Sequence, residues 1–255
     1  MGIVAIFVLV AIFAPLLAPY GPNSQDLLDR LAGPSPAHLL GTDATGRDLL
    51  SRLIYGARVD LPVAAIAVAI PALLGTCLGL LAGYYGRLAG TVVMRSADLV
   101  LAFPVYVLVL ALVAVLGPGA RSIIVAAAVV DWVIYARLVR AEVLQVKGRD
   151  YIAAARAGGL PARSILRRHI LPNVLAQPLV YMMSDVVIFI LALSSLSFLG
   201  VGVAPPRAEW GVIIAEAEPF LRVRPWLILP PGLTIVLAGI GFSLVGDGLA
   251  DRYRR

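Results

Sequence analysis

Residues 60–83 read DLPVAAIAVAIPALLGTCLGLLAG, and only Asp60, at the edge, carries a charge. A helix rises about 1.5 Å per residue, so about 20 such residues cross the roughly 30 Å hydrocarbon core of a bilayer. The run is continuous rather than alternating, which argues against a barrel strand. Backbone groups in lipid must bond within their own segment, so the stretch predicts a membrane-spanning helix. Working outward, comparable runs lie at 2–19, 98–116, 122–140, 174–198 and 227–247. The expectation is an all-α membrane protein of about six transmembrane helices, forming one domain over 1–255.

Composition agrees. Of the 255 residues, 60% are hydrophobic and 14% charged, whereas soluble domains are nearer half apolar and a quarter charged. The net charge of +6 would suit nucleic acid, but the basic residues cluster between apolar runs without an aromatic or Arg-rich groove pattern. A lipid bilayer, not nucleic acid, is the expected environment. The first run has no positive region ahead of it, so it reads as a span rather than a signal peptide. Ile6 stands where a myristoylation signal needs Ser or Thr.

Catalytic and metal chemistry find no support. The single cysteine, Cys77, lies in an apolar run and reads as a small buried hydrophobe. The one lysine, Lys147 in VKGRD, fits no phosphate-binding loop. His38 and His169 fall on opposite faces of the expected topology and cannot share a metal. The serines of LALSSLSFLG (191–200) suit close helix packing better than nucleophilic attack. The chain is expected to be no enzyme and to bind no metal or cofactor of its own.

Basic residues set the orientation. Arg137, Arg140, Lys147, Arg149, Arg156, Arg163, Arg167 and Arg168 follow the fourth span. Arg87 and Arg95 follow the second, and Arg252, Arg254 and Arg255 form the tail. With six spans these regions share a face, which the positive-inside rule makes cytoplasmic, with both termini inside. The other face receives 20–59, 117–121 and 199–226. In the first of these, Thr45 and Asp48 suggest a capped amphipathic helix at the interface. Leu49, Leu50, Leu53 and Ile54 would form its apolar face, and Arg47, Asp48 and Arg52 its polar one. Asp43 and Asp48 lack the further ligands of a calcium loop. In 199–226, Pro205-Pro206 ends a span, Trp210 and Trp226 suit an interfacial belt, and EWGVIIAEAEPFL suggests a second surface helix. A loop resting on the membrane and a docking or gating element are both open readings.

Two acids fall inside spans. Asp131 and Asp185 cost several kcal/mol on some scales in hydrocarbon and should face a polar interior. They line a substrate pathway, meeting a cationic substrate group or an arginine of a partner, or they form a structural pair within the bundle; both readings stand. Asp60 and Asp98, nearer span ends, read as helix caps.

The segment YIAAARAGGLPARSILRRHILPN, 151–173, is the exception in an apolar chain. Ala153, Ala154, Ala155 and Ala157 favour a helix. Gly158-Gly159 can end it in a left-handed turn, and Pro161 fits the first turn of a second helix. That helix would set Ile165, Leu166 and Ile170 against Arg163, Arg167 and Arg168. Anionic headgroups could hold the basic side. The alanines favour close approach by a cytoplasmic protein instead.

The stretch resembles the coupling loop of ABC importer permeases. That pattern runs Glu-Ala-Ala, three residues, Gly, nine residues, Ile, one residue, Leu-Pro. Ala154, Ala155, Gly159, Leu171 and Pro172 match it; Ala153 replaces the Glu and His169 the Ile. HLLGTDATGRDLLSRLIYGARVDL (38–61), DLVLAFPVYVLVLAL (98–112), LSFLGVGVAPPRAEWGVIIAEA (196–217) and PWLILPPGLTIVLAGIGFSLVGDGLAD (225–251) are similar to the dipeptide/oligopeptide/nickel branch, in its order.

The resemblance implies a type I importer permease fold with a cytoplasmic coupling helix within 141–173. It implies that Ala153, Ala154, Ala155, Gly159, Pro161, His169, Leu171 and Pro172 meet an ATPase. It further implies a homologous second permease, two cytoplasmic ATPase subunits holding ATP and Mg, and an extracytoplasmic substrate-binding protein, all at a bacterial cytoplasmic membrane. The chain would then supply half of a translocation pathway for di- or oligopeptides. Nickel uptake is the alternative within the family, although Met182 and Met183 are too little for a metal path. An ion-coupled secondary transporter is the alternative from another class.

Overall fold

The computed structural model describes residues 2–254; Met1 and the tail residue Arg255 lie outside the described residues. The regular elements among them are all helical: α1 (Gly2–Leu17), α2 (Leu49–Tyr85), α3 (Arg87–Leu101), α4 (Val105–Leu116), α5 (Ala120–Val130), α6 (Trp132–Lys147), α7 (Asp150–Ala157), α8 (Ala162–Ile165), α9 (Leu171–Val174), α10 (Ala176–Phe198), α11 (Trp210–Ala217) and α12 (Leu229–Arg254).

The all-α expectation holds, but the count of six spans is not reproduced. Among the described residues, four helical stretches are long and apolar enough to cross a bilayer: Leu49–Tyr85, Ala120–Lys147, Ala176–Phe198 and Pro225–Tyr253. The expected span 98–116 is instead part of a pair, α3 and α4, bent by 86°. The break falls at Phe103-Pro104. Proline has no N–H to donate and disfavours the α conformation in the residue before it. Counting the pair as one span gives five. The first expected span is the 16-residue α1, about 24 Å long at helical rise and short of the full core thickness.

The chain divides into two compact units, 1–66 with 113–124 and 186–245, and 67–112 with 125–185 and 246–255. In the first unit, the expected interfacial helix is no separate element: it opens α2, which runs unbroken for 37 residues. Its cap is Asp48, not Thr45. The Asp48 carboxylate accepts the Ser51 N–H at 2.7 Å, while the Thr45 hydroxyl donates to Asp43 at 2.8 Å.

The polar side of that helix is also not solvated. Arg47, Asp48 and Arg52 are all buried. Arg52 reaches Asp43 at 2.6 Å and Glu216 at 2.5 Å. Arg47 reaches the same carboxylates at 2.6 and 2.7 Å. Burial would raise the Asp43 carboxyl, but the Thr45 N–H and the Arg47 and Arg52 guanidiniums prevail and hold it below the usual carboxylate range. His38 lies 2.9 Å from Asp48.

The network ties the residues 43–52 to α11. This helix is buried rather than superficial: Trp210, Val212 and Ile213 are enclosed. Trp210 is therefore no interfacial belt residue; its indole N–H donates to the Leu53 carbonyl at 3.1 Å. Asp60 caps no end of its own helix. It accepts the Trp210 N–H at 3.1 Å, and Glu209 accepts those of Gly211 and Val212 at 2.9 and 2.8 Å. Two carboxyls thus serve the orphan donors at the start of α11. Trp226 stacks under Arg224, 5.1 Å from its ring centre.

In the second unit, α2 meets α6 along Gly75, Gly79 and Gly83. A Cβ on Gly75 would lie 2.3 Å from the Trp132 carbonyl, one on Gly79 2.7 Å from that of Ala136, and one on Gly83 2.7 Å from Val143. Small residues every four positions let helix backbones approach closely where lipid offers no hydrophobic drive. At the far end, Lys147 donates to the Tyr84 carbonyl at 2.5 Å. Asp98 is no cap: it pairs with Arg137 at 2.7 Å.

Gly79→Leu is expected to cost about 2–3 kcal/mol by overpacking, read as a lowered Tm in detergent. Gly232→Leu, where an added Cβ meets nothing within 4 Å, should leave Tm nearly unchanged. Arg52→Ala leaves Asp43 and Glu216 with Arg47 alone; removing one partner of a buried pair costs about 3 kcal/mol or more. A Tm equal to that of the parent would contradict the network's role.

Candidate functional site

The segment 141–173 is more helical than a loop. Residues up to Lys147 continue α6, and α7 follows after Gly148 and Arg149. Its end is a complete Schellman motif. The Leu160 N–H donates to the Ala155 carbonyl at 3.2 Å and the Gly159 N–H to that of Arg156 at 3.1 Å. Gly159 takes the left-handed conformation, φ +78°, whereas Gly158 does not. A side chain at Gly159 would strain the backbone, which explains its glycine. Pro161 stands one position before α8 rather than inside its first turn, extended at φ −67° and ψ 147°.

The second helix is not an isolated one. From α8 the chain passes through a π-helical segment, Leu166–Ile170, and α9 toward α10. The cause is local. Pro172 cannot donate to the carbonyl four residues back, and its ring would crowd that group. The wider register relieves this: Leu171 N–H donates to Leu166, and the Asn173 amide donates to the His169 carbonyl at 2.6 Å.

The expected polarity is present. Ile152, Ile165, Ile170 and Val174 pack with Val139, Val143 and Val146 of α6 in one buried cluster. Arg163, Arg167 and Arg168 are exposed. The turn itself projects from that cluster: Ala153, Ala154, Gly158, Gly159 and Pro161 are exposed, and Ala155, His169 and Leu171 partly so. Tyr151 and Leu160 flank it, 42% and 40% exposed. A surface of small and apolar side chains on a rigid base can receive a close-fitting protein.

The two interior acids come to one polar group. Asp131 immediately precedes α6, one turn before Tyr135, and Tyr181 stands one turn before Asp185 on α10. The buried Tyr135 hydroxyl donates to Asp185 at 2.7 Å, and the tyrosine rings meet edge to face at 5.1 Å. Asp185 is buried and Asp131 partly so. Among the described residues, neither carboxylate has an ion-pair partner. Sequence reasoning missed both tyrosines. Their four-residue spacing from the acids was the available signal.

Comparison with known proteins adds to this geometry. Residues 75–255 match the description "Binding-protein-dependent transport system inner membrane component". Residues 1–34 match "N-terminal TM domain of oligopeptide transport permease C". The dipeptide transport system permease protein DppC of Alkalihalophilus pseudofirmus is 42% identical over 98% of this chain and 82% of its own length. The di/tripeptide permease of Pseudomonas aeruginosa is 42% identical over 96% and 83%. The glutathione permease GsiD of Pectobacterium atrosepticum is 40% identical over 97% and 83%. Among solved structures, the MetNI methionine ABC transporter superposes with a TM-score of 0.61 at 17% identity, over 81% of this chain and 98% of that one. This last likeness concerns the fold alone.

Gly159→Ala is expected to loosen the turn by about 1 kcal/mol, the cost of a left-handed L-residue. Hydrogen exchange at the Gly159 and Leu160 positions should quicken accordingly. Gly158→Ala, at φ −70°, should leave exchange unchanged.

Proposed function

This chain belongs to the family of binding-protein-dependent transport system inner membrane components, in its peptide branch, and we propose that it supplies one half of an ATP-driven pathway importing di- or oligopeptides. It is a multi-pass membrane protein and a transport subunit, not itself an enzyme. The remaining half comes from a homologous permease. Two ATPase subunits, which hold the ATP and Mg, sit on the cytoplasmic side with both termini of this chain, and an extracytoplasmic binding protein delivers substrate. The membrane is the bacterial cytoplasmic one.

One observation carries the coupling assignment. The exposed turn bearing Ala153, Ala154 and Gly159 is seated on the buried α6–α9 cluster, so force applied at the turn passes into α6 and α10. Ala155, Pro161, His169, Leu171 and Pro172 shape that knob. The missing carboxylate at Ala153 leaves shape, rather than an ion pair, to make the contact. In the interior, Asp131 and Asp185 line the pathway, where two carboxylates without a cation of their own favour a cationic substrate group.

The test is purification from mild-detergent membranes. The parent chain should bring down an ATPase pair and a second permease; Gly159→Glu should lose the ATPases yet still insert. Recovery of the chain alone from a preparation that still transports would overturn the coupling assignment. Asp131→Asn and Asp185→Asn should each slow peptide uptake without loss of complex, and unchanged kinetics in both would remove them from the pathway.

A further inference from the structure

Two arginines of the first unit stand outside the ion network and outside the proposed pathway. Arg58 of α2 and Arg207, just before α11, line one cavity of about 410 Å³ with Tyr55 and Asn23. Both are exposed. Among the described residues neither is in an ion pair. The acids nearest in sequence, Asp60 and Glu209, are buried and turned to the backbone of α11. Helical residues two apart point to opposite sides, so Asp60 does not neutralise Arg58. The cavity therefore presents two uncompensated guanidiniums, the side chain suited to bidentate contact with phosphate.

A second cavity adjoins it. A groove of about 630 Å³ is lined by Val4, Val8 and Ile12 of α1, Leu61 and Ala65 of α2, and Phe242 of α12. Arg58 and Pro62 line both cavities. The groove thus continues from the guanidiniums along the helices. Ala65 lies about two turns, or roughly 10 Å, below Arg58. A cationic head above an apolar trough, on helices that lie in a membrane, matches one class of ligand. The geometry points to a bound anionic phospholipid, its phosphate between Arg58 and Arg207 and an acyl chain along α1, α2 and α12. A small anion would use the head and leave the trough empty. A neutral hydrocarbon would use the trough and leave the arginines unpaired.

Native mass spectrometry of the full chain, purified with the subunits that accompany it and supplied with phosphatidylglycerol or phosphatidylcholine, tests this. The parent should retain phosphatidylglycerol in preference to phosphatidylcholine. Arg58→Ala with Arg207→Ala should weaken retention about tenfold or more, as expected for two basic side chains at headgroup level. The corresponding double lysine variant, which keeps the charge but not the bidentate fork, should restore only part of it. Ala65→Trp, or, if that fails to fold, Ala11→Phe on the α1 wall of the same groove, fills the trough with both arginines intact and should also weaken retention. Unchanged phosphatidylglycerol binding in the arginine variant would overturn the proposal. So would ready displacement by inorganic phosphate, with the trough variants binding normally, since a small-anion site would then be present. A parent free of lipid, whose trough variants lose an accompanying permease, would overturn it in favour of a protein helix in the groove.

Discussion

The close approach of α2 to α6 over Gly75, Gly79 and Gly83 is the constraint on which the second unit rests. With a Cβ at any of these positions falling within 2.7 Å of the facing helix, the backbones could not lie where they do. In lipid the apolar side chains gain nothing from leaving one hydrocarbon for another, so packing at short range has to hold the pair. α6 placed in this way carries Tyr135 in its first turn and Val139, Val143 and Val146 beyond it. The first joins the interior acidic group, and the last three are the floor on which Ile152, Ile165 and Ile170 seat the exposed turn. The Lys147 ammonium closes the interface at its end by taking the Tyr84 carbonyl.

The first unit solves a different problem, that of charge in an apolar chain. Arg47 and Arg52 are enclosed with two carboxylates, so the group is neutral as a whole, and each oxygen named meets a guanidinium at 2.7 Å or less. Asp60 and Glu209 are disposed of by capping α11. These arrangements join parts of the chain more than 140 residues apart, as the Trp210 N–H to Asp60 bond does. Buried pairs of this kind are weak sources of stability compared with apolar packing, but breaking one leaves a stranded charge. They specify which segment meets which, and they hold α11 buried against α2.

Much of this was legible in the sequence, for reasons that differ by element. The apolar runs at 60–83, 122–140, 174–198 and 227–247 announce themselves because lipid imposes length and composition together. The run at 98–116 misled because hydropathy ignores the backbone: Phe103-Pro104 breaks the helix inside an unbroken apolar stretch. Arg47 and Arg52 misled for the converse reason, since a local amphipathic pattern cannot reveal that Glu216 waits to bury its polar face. The Schellman turn was readable from Gly158-Gly159, a local signal with a local cause. The π-helical register was not, because it changes hydrogen-bond partners without changing residue types. The glycine stripe was written at a four-residue spacing and needed only to be counted.

The two parts of the candidate site are not independent. The turn is held by α6 on one side and, through α9, by the start of α10 on the other. These are the helices that meet again at the Tyr135–Asp185 hydrogen bond. On the proposed coupling, displacing the turn toward a partner would move the two helices relative to each other, and the hydrogen bond is a short polar link that shear between them would strain. Packed interfaces favour discrete arrangements over gradual deformation. Under that proposal a change in the link would alter which carboxylate oxygens face the interior, and a cationic group placed there would bias the same equilibrium from the other end. Coupling by linkage needs no more than this: two sites, two arrangements of one helix pair, and a different free energy for each ligand in each.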